Sequence, residues 1–145
     1  MQNLFTLEEI DEIMPSREID GIIAERYLGW HVGVMSDSKK EDWFEALKEC
    51  RKKEFPFDLL ESYGGDFYGK RIPYFTSKIE DAWALDNNEF NWTFKENIDK
   101  LLVSLETKGN VLETSVFWNE VGSSIEAYAL CRSRCILKLN YLLVQ

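Results

Sequence analysis

The chain has 145 residues, with 26 Asp and Glu against 17 Lys and Arg, for a formal net charge of −9. A hydrophobic share of 45%, with 14% aromatic, supports a sizeable core and excludes collagen-like, disulfide-rich and wholly disordered classes. The acidic balance excludes a general binder of nucleic-acid polymers or anionic membranes, which need a positive field, and no apolar run approaches the roughly 20 residues that span a bilayer.

The N-terminal stretch has no basic region of the secretory kind, and the three cysteines, Cys50, Cys131 and Cys135, make an odd count. Both features lead to the expectation of reduced thiols in a cytosol. In chain order, Thr6-Leu-Glu-Glu9 is a capping box that opens a short helix ended by Pro15. Ser16 then caps a helix to about Leu28, with Ile19, Ile22, Ile23, Ala24 and Tyr27 at helical spacing and Gly29 at the left-handed position after it. A short strand over 30–35 follows, which puts Trp30 and His31 at its start.

Residues 36–56 are charge-rich. Trp43, Phe44, Leu47 and Cys50 nevertheless form one apolar stripe, so this stretch reads as a charged amphipathic helix ending in Arg51-Lys52-Lys53. Residues 57–73, with Gly64-Gly65 and Gly69 among Tyr63, Phe67 and Tyr68, read as an adaptable loop. Ser77-Lys-Ile-Glu80 is a second capping box, opening a helix with Ile79, Ala82 and Trp83 on its apolar face.

Phe90, Trp92 and Phe94 alternate with polar residues, the pattern of a strand with one aromatic, core-facing side. Residues 96–118 fit a helix through Ile98, Leu101, Leu102 and Leu105, or a hairpin turning at Lys108-Gly-Asn110. The turn glycine and the β-branched residues after it favour the hairpin. A helix from about Ser124 to Leu143 closes the chain, with Ala127, Leu130, Cys131, Arg134 and Cys135 on its buried side and Arg132 and Lys138 nearer its edge. The expected fold is α+β: a small antiparallel sheet flanked by helices, sandwich-like, in one domain over 1–145, with an insertion at about 36–71.

Catalytic signatures are missing: no G-x-G-x-x-G, Walker A, G-x-S-x-G or H-E-x-x-H occurs, and His31 is the one histidine. Cys131 and Cys135 lack the further ligands a zinc site needs and read as core residues. The expectation is therefore a protein with no catalytic residues, metal or cofactor.

Three segments, in order, resemble the phage ABA sandwich domain family of small phage and prophage proteins. They are Arg17-Glu-Ile-Asp-Gly-Ile-Ile-Ala-Glu-Arg-Tyr-Leu-Gly-Trp30, Ile72-Pro-Tyr-Phe-Thr-Ser-Lys-Ile-Glu-Asp-Ala-Trp83 and Tyr128-Ala-Leu-Cys-Arg-Ser-Arg-Cys-Ile-Leu137. The resemblance implies helices on a small antiparallel sheet and brings no catalytic activity. The chain departs from the family in its charged helix at 39–53, in Ser77 where an acidic cap is usual, and in Arg134-Cys135 in place of smaller apolar residues.

A helix start capped by Ser77 offers free backbone N–H groups to an anion. Tyr74, Phe75 and Thr76 lie beside it, Trp30 and His31 could stack a ring, and Arg132 and Arg134 could fork onto a phosphate. With the phage resemblance, these eight residues predict an anti-defence sponge in the cytoplasm of a bacterial host, sequestering a small anionic, nucleotide-type signal. The alternatives are an acidic protein-interaction module that inhibits a host enzyme and a nucleotide hydrolase. The supply of aromatics also predicts a homo-oligomer.

Overall fold

The computed structural model describes residues 4–35, 42–54, 58–61 and 70–143. Its elements are α1 (Leu7–Ile10), α2 (Arg17–Ile22) running into a π-helical turn (Ile23–Tyr27), β1 (Val32–Met35), α3 (Trp43–Lys52) and β2 (Asp58–Glu61). There follow α4 (Ile79–Ala82) with a 3-10 turn (Trp83–Leu85), β3 (Asn91–Glu96), β4 (Lys100–Thr107), β5 (Asn110–Phe117), a second 3-10 turn (Trp118–Glu120) and α5 (Ser124–Leu143). The fold is mixed α+β, with two antiparallel sheets of two and three strands among the described residues. No described helix is long and apolar enough to cross a membrane. The chain divides into two compact units: Arg17–Pro73, and Met1–Ser16 with Tyr74–Gln145.

In the Arg17–Pro73 unit, the predicted apolar face of α2 is buried through Ile19, Ile22, Ile23 and Ala24, and Gly29 takes φ +72° as the helix exits. Of the stripe on α3, Trp43, Leu47 and Cys50 are buried, joined by Ala46, while Phe44 is half-buried; Asp42 caps the helix by accepting from Phe44 N and Glu45 N. The Trp43 indole lies so close to α2 that a Cβ on Gly21 would sit 2.6 Å from its ring, and its Nε1 donates to Glu25 at 2.8 Å. Residues 58–61 correct the loop reading. They form β2, paired antiparallel to β1 with Leu59 and Leu60 both buried, and two adjacent buried residues leave no alternation in the sequence to mark the strand. The Gly and aromatic stretch at 62–69 lies outside the described residues. Arg17 ties the ends of this unit together, bonding Asp20 at 2.9 Å, Ile72 O at 2.7 Å and Pro73 O at 3.1 Å.

In the other unit the Thr6 capping box forms as read: Glu9 N donates to Thr6 Oγ1, and Thr6 N to Glu9 Oε1. The 96–118 ambiguity resolves as the hairpin. β4 and β5 pair from Lys100↔Phe117 to Thr107↔Asn110, turning on Lys108 (φ 49°) and Gly109 (φ 81°). Two positive φ values in a two-residue turn match the right-handed twist of the strands. β3 joins the other side of β4, which makes the strand order β3-β4-β5. Leu101, Val103, Leu105, Leu112, Thr114 and Val116 point to one face, where α5 packs; Leu102, Ser104, Glu106, Val111 and Phe117 point away. The Ser77 capping box does not form. α4 begins only at Ile79, and its N-cap residue, Lys78, makes no side-chain capping bond.

Candidate functional site

Helix α5 presents three stripes to the sheet, and helical spacing assigns each one a target. Cys131 and Cys135 occupy the middle; Cys135 Sγ lies 3.9 Å from Val103 O and 3.7 Å from Leu112 O. Burial pushes both thiols up to about 12, so neither supplies a reactive thiolate near neutral pH. Arg134 and Lys138 reach the β5 edge, whereas Tyr128 and Arg132 reach β3.

Arg134 is 2% exposed and is held by main-chain carbonyls. Its Nε and Nη2 donate to Ile13 O at 3.0 and 2.6 Å, and its Nη1 to Ser115 O at 2.9 Å. Lys138 pairs with Asp11 and donates to Glu113 O. Thr107↔Asn110 flanks the turn, so the even residues of β4 face β3 and the odd residues of β5 face outward. Glu113 O and Ser115 O therefore belong to the free edge of β5. The two cations close that edge and tie down the segment after α1.

Arg132 is also buried, but its surroundings differ. Its residue is 9% exposed, and its guanidinium carbon lies 4.7 Å from the Trp92 ring centroid and 5.0 Å from that of Phe94. Among the described residues, Arg132 Nε and Nη1 are buried without a hydrogen-bond partner, as is the Thr107 hydroxyl. Burial lowers the Arg132 pKa, while the charge of nearby Asp86 works the other way. Asp86 makes no ion pair with it; its carboxylate instead accepts from Trp92 Nε1 at 2.9 Å and from Asn87 N. Around this guanidinium the Trp92 and Phe94 rings stack at 6.1 Å, and Tyr128 tilts against Phe94 at 5.3 Å. Tyr128 donates to Glu96, and that bond is the largest cause holding its hydroxyl up at about 12.

The eight residues expected to form one site do not gather within either unit. Trp30 is half-buried, with its N–H on Ala24 O, and His31 is exposed; both belong to Arg17–Pro73. Phe75 is fully buried and its carbonyl accepts from Ser133 Oγ at 2.8 Å, so it has no face for a ligand. The buried Thr76 hydroxyl is engaged with Ser16, accepting from its N–H and donating to its carbonyl. Tyr74 N is taken by the Asp81 carboxylate at 2.7 Å, and its ring lies 4.6 Å from Lys78 Nζ. Ser77 N is taken by Tyr74 O, in a turn that precedes a helix of only four residues. The free helix start expected at Ser77 is therefore not present, and Arg134 is a structural latch. Of the eight, Arg132 has buried nitrogens, Nε and Nη1, without a hydrogen-bond partner among the described residues.

Trp92 and Phe94 are the partners that the sequence reading placed in the core. They are half-buried on an edge strand. The alternation that exposes one strand face was visible, but a 40-residue separation hid their meeting with Arg132. Comparison with protein-family models, curated proteins and solved structures returned no match. The likeness to the phage ABA sandwich proteins thus rests on its three sequence segments alone.

Proposed function

We propose that the protein is a non-catalytic binder of a small anion that carries a ring, of the nucleotide type, with Arg132 as the anion contact and Trp92 and Phe94 as its walls. The supporting observation is the buried guanidinium with two unpartnered nitrogens. Leaving such donors unmade costs about 1–3 kcal/mol each, and a phosphate or carboxylate accepting from them recovers that cost. Arginine stays charged despite its lowered pKa, and its planar fork suits a two-oxygen acceptor. Sequestration of a signal in a phage-infected cell is the biological role that the sequence resemblance adds. Capture needs affinity and no turnover.

The test is calorimetry against linear and cyclic nucleotides and inorganic phosphate, for the wild type and for Arg132→Met. Heat from the wild type that is lost in the variant, with the ligand recovered intact after denaturation, is the expected result. No heat for any ligand at tens of micromolar protein, or heat unchanged in the variant, overturns the reading.

A second reading, an acidic module docking on a basic protein surface, is favoured by the open side of the three-stranded sheet. There Asp11, Glu113 and Glu120 line one groove with Leu102 and Phe117, and Glu106 lies on the same face. A stoichiometric protein partner retained from host lysate and released by salt would favour it.

A further inference from the structure

The two edges of the three-stranded sheet are finished differently. At β5, Arg134 and Lys138 occupy the outward carbonyls of Ser115 and Glu113. At β3 the pairing with β4 uses Asn91, Thr93 and Lys95, opposite Glu106, Ser104 and Leu102, and continues in the bond from Asn97 N to Lys100 O. The main-chain groups of Trp92, Phe94 and Glu96 therefore point outward, and among the described residues none of them receives a hydrogen bond. The strand carries no proline, and its pairing runs without a bulge. Such an edge is a template for another strand.

We infer that β3 pairs antiparallel with β3 of a second copy of this chain, about a two-fold axis through Thr93, making a continuous six-stranded sheet. This goes beyond the ligand reading and does not depend on it. The occupant follows from self-complementarity. Pairing about Thr93 sets Trp92 opposite Phe94 of the second copy and Phe94 opposite its Trp92, and both pairs exchange N–H···O=C bonds. Aromatic pairs and a Thr–Thr pair are the cross-strand combinations that stabilise sheets.

The charges agree with this register. Lys95 falls opposite Asn91, so no like charges meet, whereas an axis through Lys95 would place two lysines face to face. The Glu96 carboxylate is engaged by the Tyr128 hydroxyl. Ile125, one turn before Tyr128 on α5, is a further exposed apolar side chain, at 57%. The symmetric use of one patch on both copies closes the assembly at two chains, and at β5 the Ser115 and Glu113 carbonyls are already occupied by Arg134 and Lys138.

Light scattering after size exclusion tests the inference, using the wild type with Thr93→Lys and Thr93→Glu. Thr93 is exposed on the open sheet face, and its side chain meets its own copy at the axis, where opposed strands come closest. The wild type is expected at twice the 17.0 kDa chain mass, each variant alone at the chain mass, and their equimolar mixture at the doubled mass again. Circular dichroism matching the wild type assigns the loss to the contact rather than to unfolding. A second readout is amide exchange, with the Trp92 and Phe94 amides protected in the wild type and fast in Thr93→Lys. A wild type at the chain mass, or variants that stay doubled, overturns the inference. Failure of the ligand reading leaves these masses unchanged, and Thr93→Lys retains Arg132, so the two outcomes are separable.

Discussion

Arg132 and Arg134 stand two residues apart on one helix, yet they serve opposite edges of one sheet in opposite ways. Arg134 gives its donors to two carbonyls and closes the β5 edge; Arg132 lies against two rings on β3 with Nε and Nη1 unpartnered. Burial lowers the pKa of both. Burial and charge therefore do not separate a structural arginine from one proposed to bind. The distinction lies in whether the surroundings supply acceptors.

Replacing each arginine by methionine, which roughly keeps the volume, is the most direct way to break this comparison. Arg134→Met leaves Ile13 O and Ser115 O without their donor. At about 1–3 kcal/mol per orphaned carbonyl, a loss of about 2–6 kcal/mol is expected in denaturant unfolding. A change below about 1 kcal/mol would mean that the latch carries little of the fold.

A pH titration sharpens the comparison by attacking the stripe between the two arginines. Cys131 and Cys135 are held near 12 in the folded chain against an ordinary 9.0, so the native state keeps protons that the unfolded state has released. Their contribution is complete below pH 9 and is lost as pH rises toward 12, so the melting temperature is expected to fall across that window. Alanine at both positions should flatten the slope. Tyr128, raised from 10.0 to about 12, adds to the same decline above pH 10.

The smallest effect belongs to Arg132→Met. It gives up the stacking on Trp92 and Phe94, worth about 1–2 kcal/mol, but it also removes two unsatisfied buried donors. Stability is expected within about 1 kcal/mol of the wild type by chemical denaturation, in the variant expected to lose the proposed binding. A loss as large as that of Arg134→Met would erase the distinction between the two sides.

Local signals made much of the fold legible. The Thr6 box, the Trp43–Cys50 stripe, the Lys108-Gly109 turn and the long apolar pattern of the last helix each lie within a few residues, and each formed. The failures were of two kinds. β2 carries two adjacent buried leucines with no alternation, and its partner strand lies far away in sequence. The Ser77 box had the right letters, but the turn from Tyr74 delays the helix to Ile79. The site was less legible still. Arg132 was recognisable as a candidate, but whether its nitrogens find acceptors depends on a strand some 40 residues away, and no spacing rule reports that.

The ties at Ser16–Thr76 and at Arg17 with Ile72 and Pro73 bear on the order in which the chain assembles. Residues 17–73 interrupt a unit whose first part is residues 1–16, so that unit must close a long loop before its N-terminal arm can dock. The entropy of closing such a loop grows only with the logarithm of its length, so lengthening the insertion costs little: each doubling adds about 0.6 kcal/mol. The Arg17 fork brings the two ends of the insertion to neighbouring carbonyls by itself. Once it forms, the effective loop is a few residues rather than dozens, and early folding of the insertion would speed the rest of the chain. A longer or shorter 17–73 segment is therefore expected to change the stability of the other unit little.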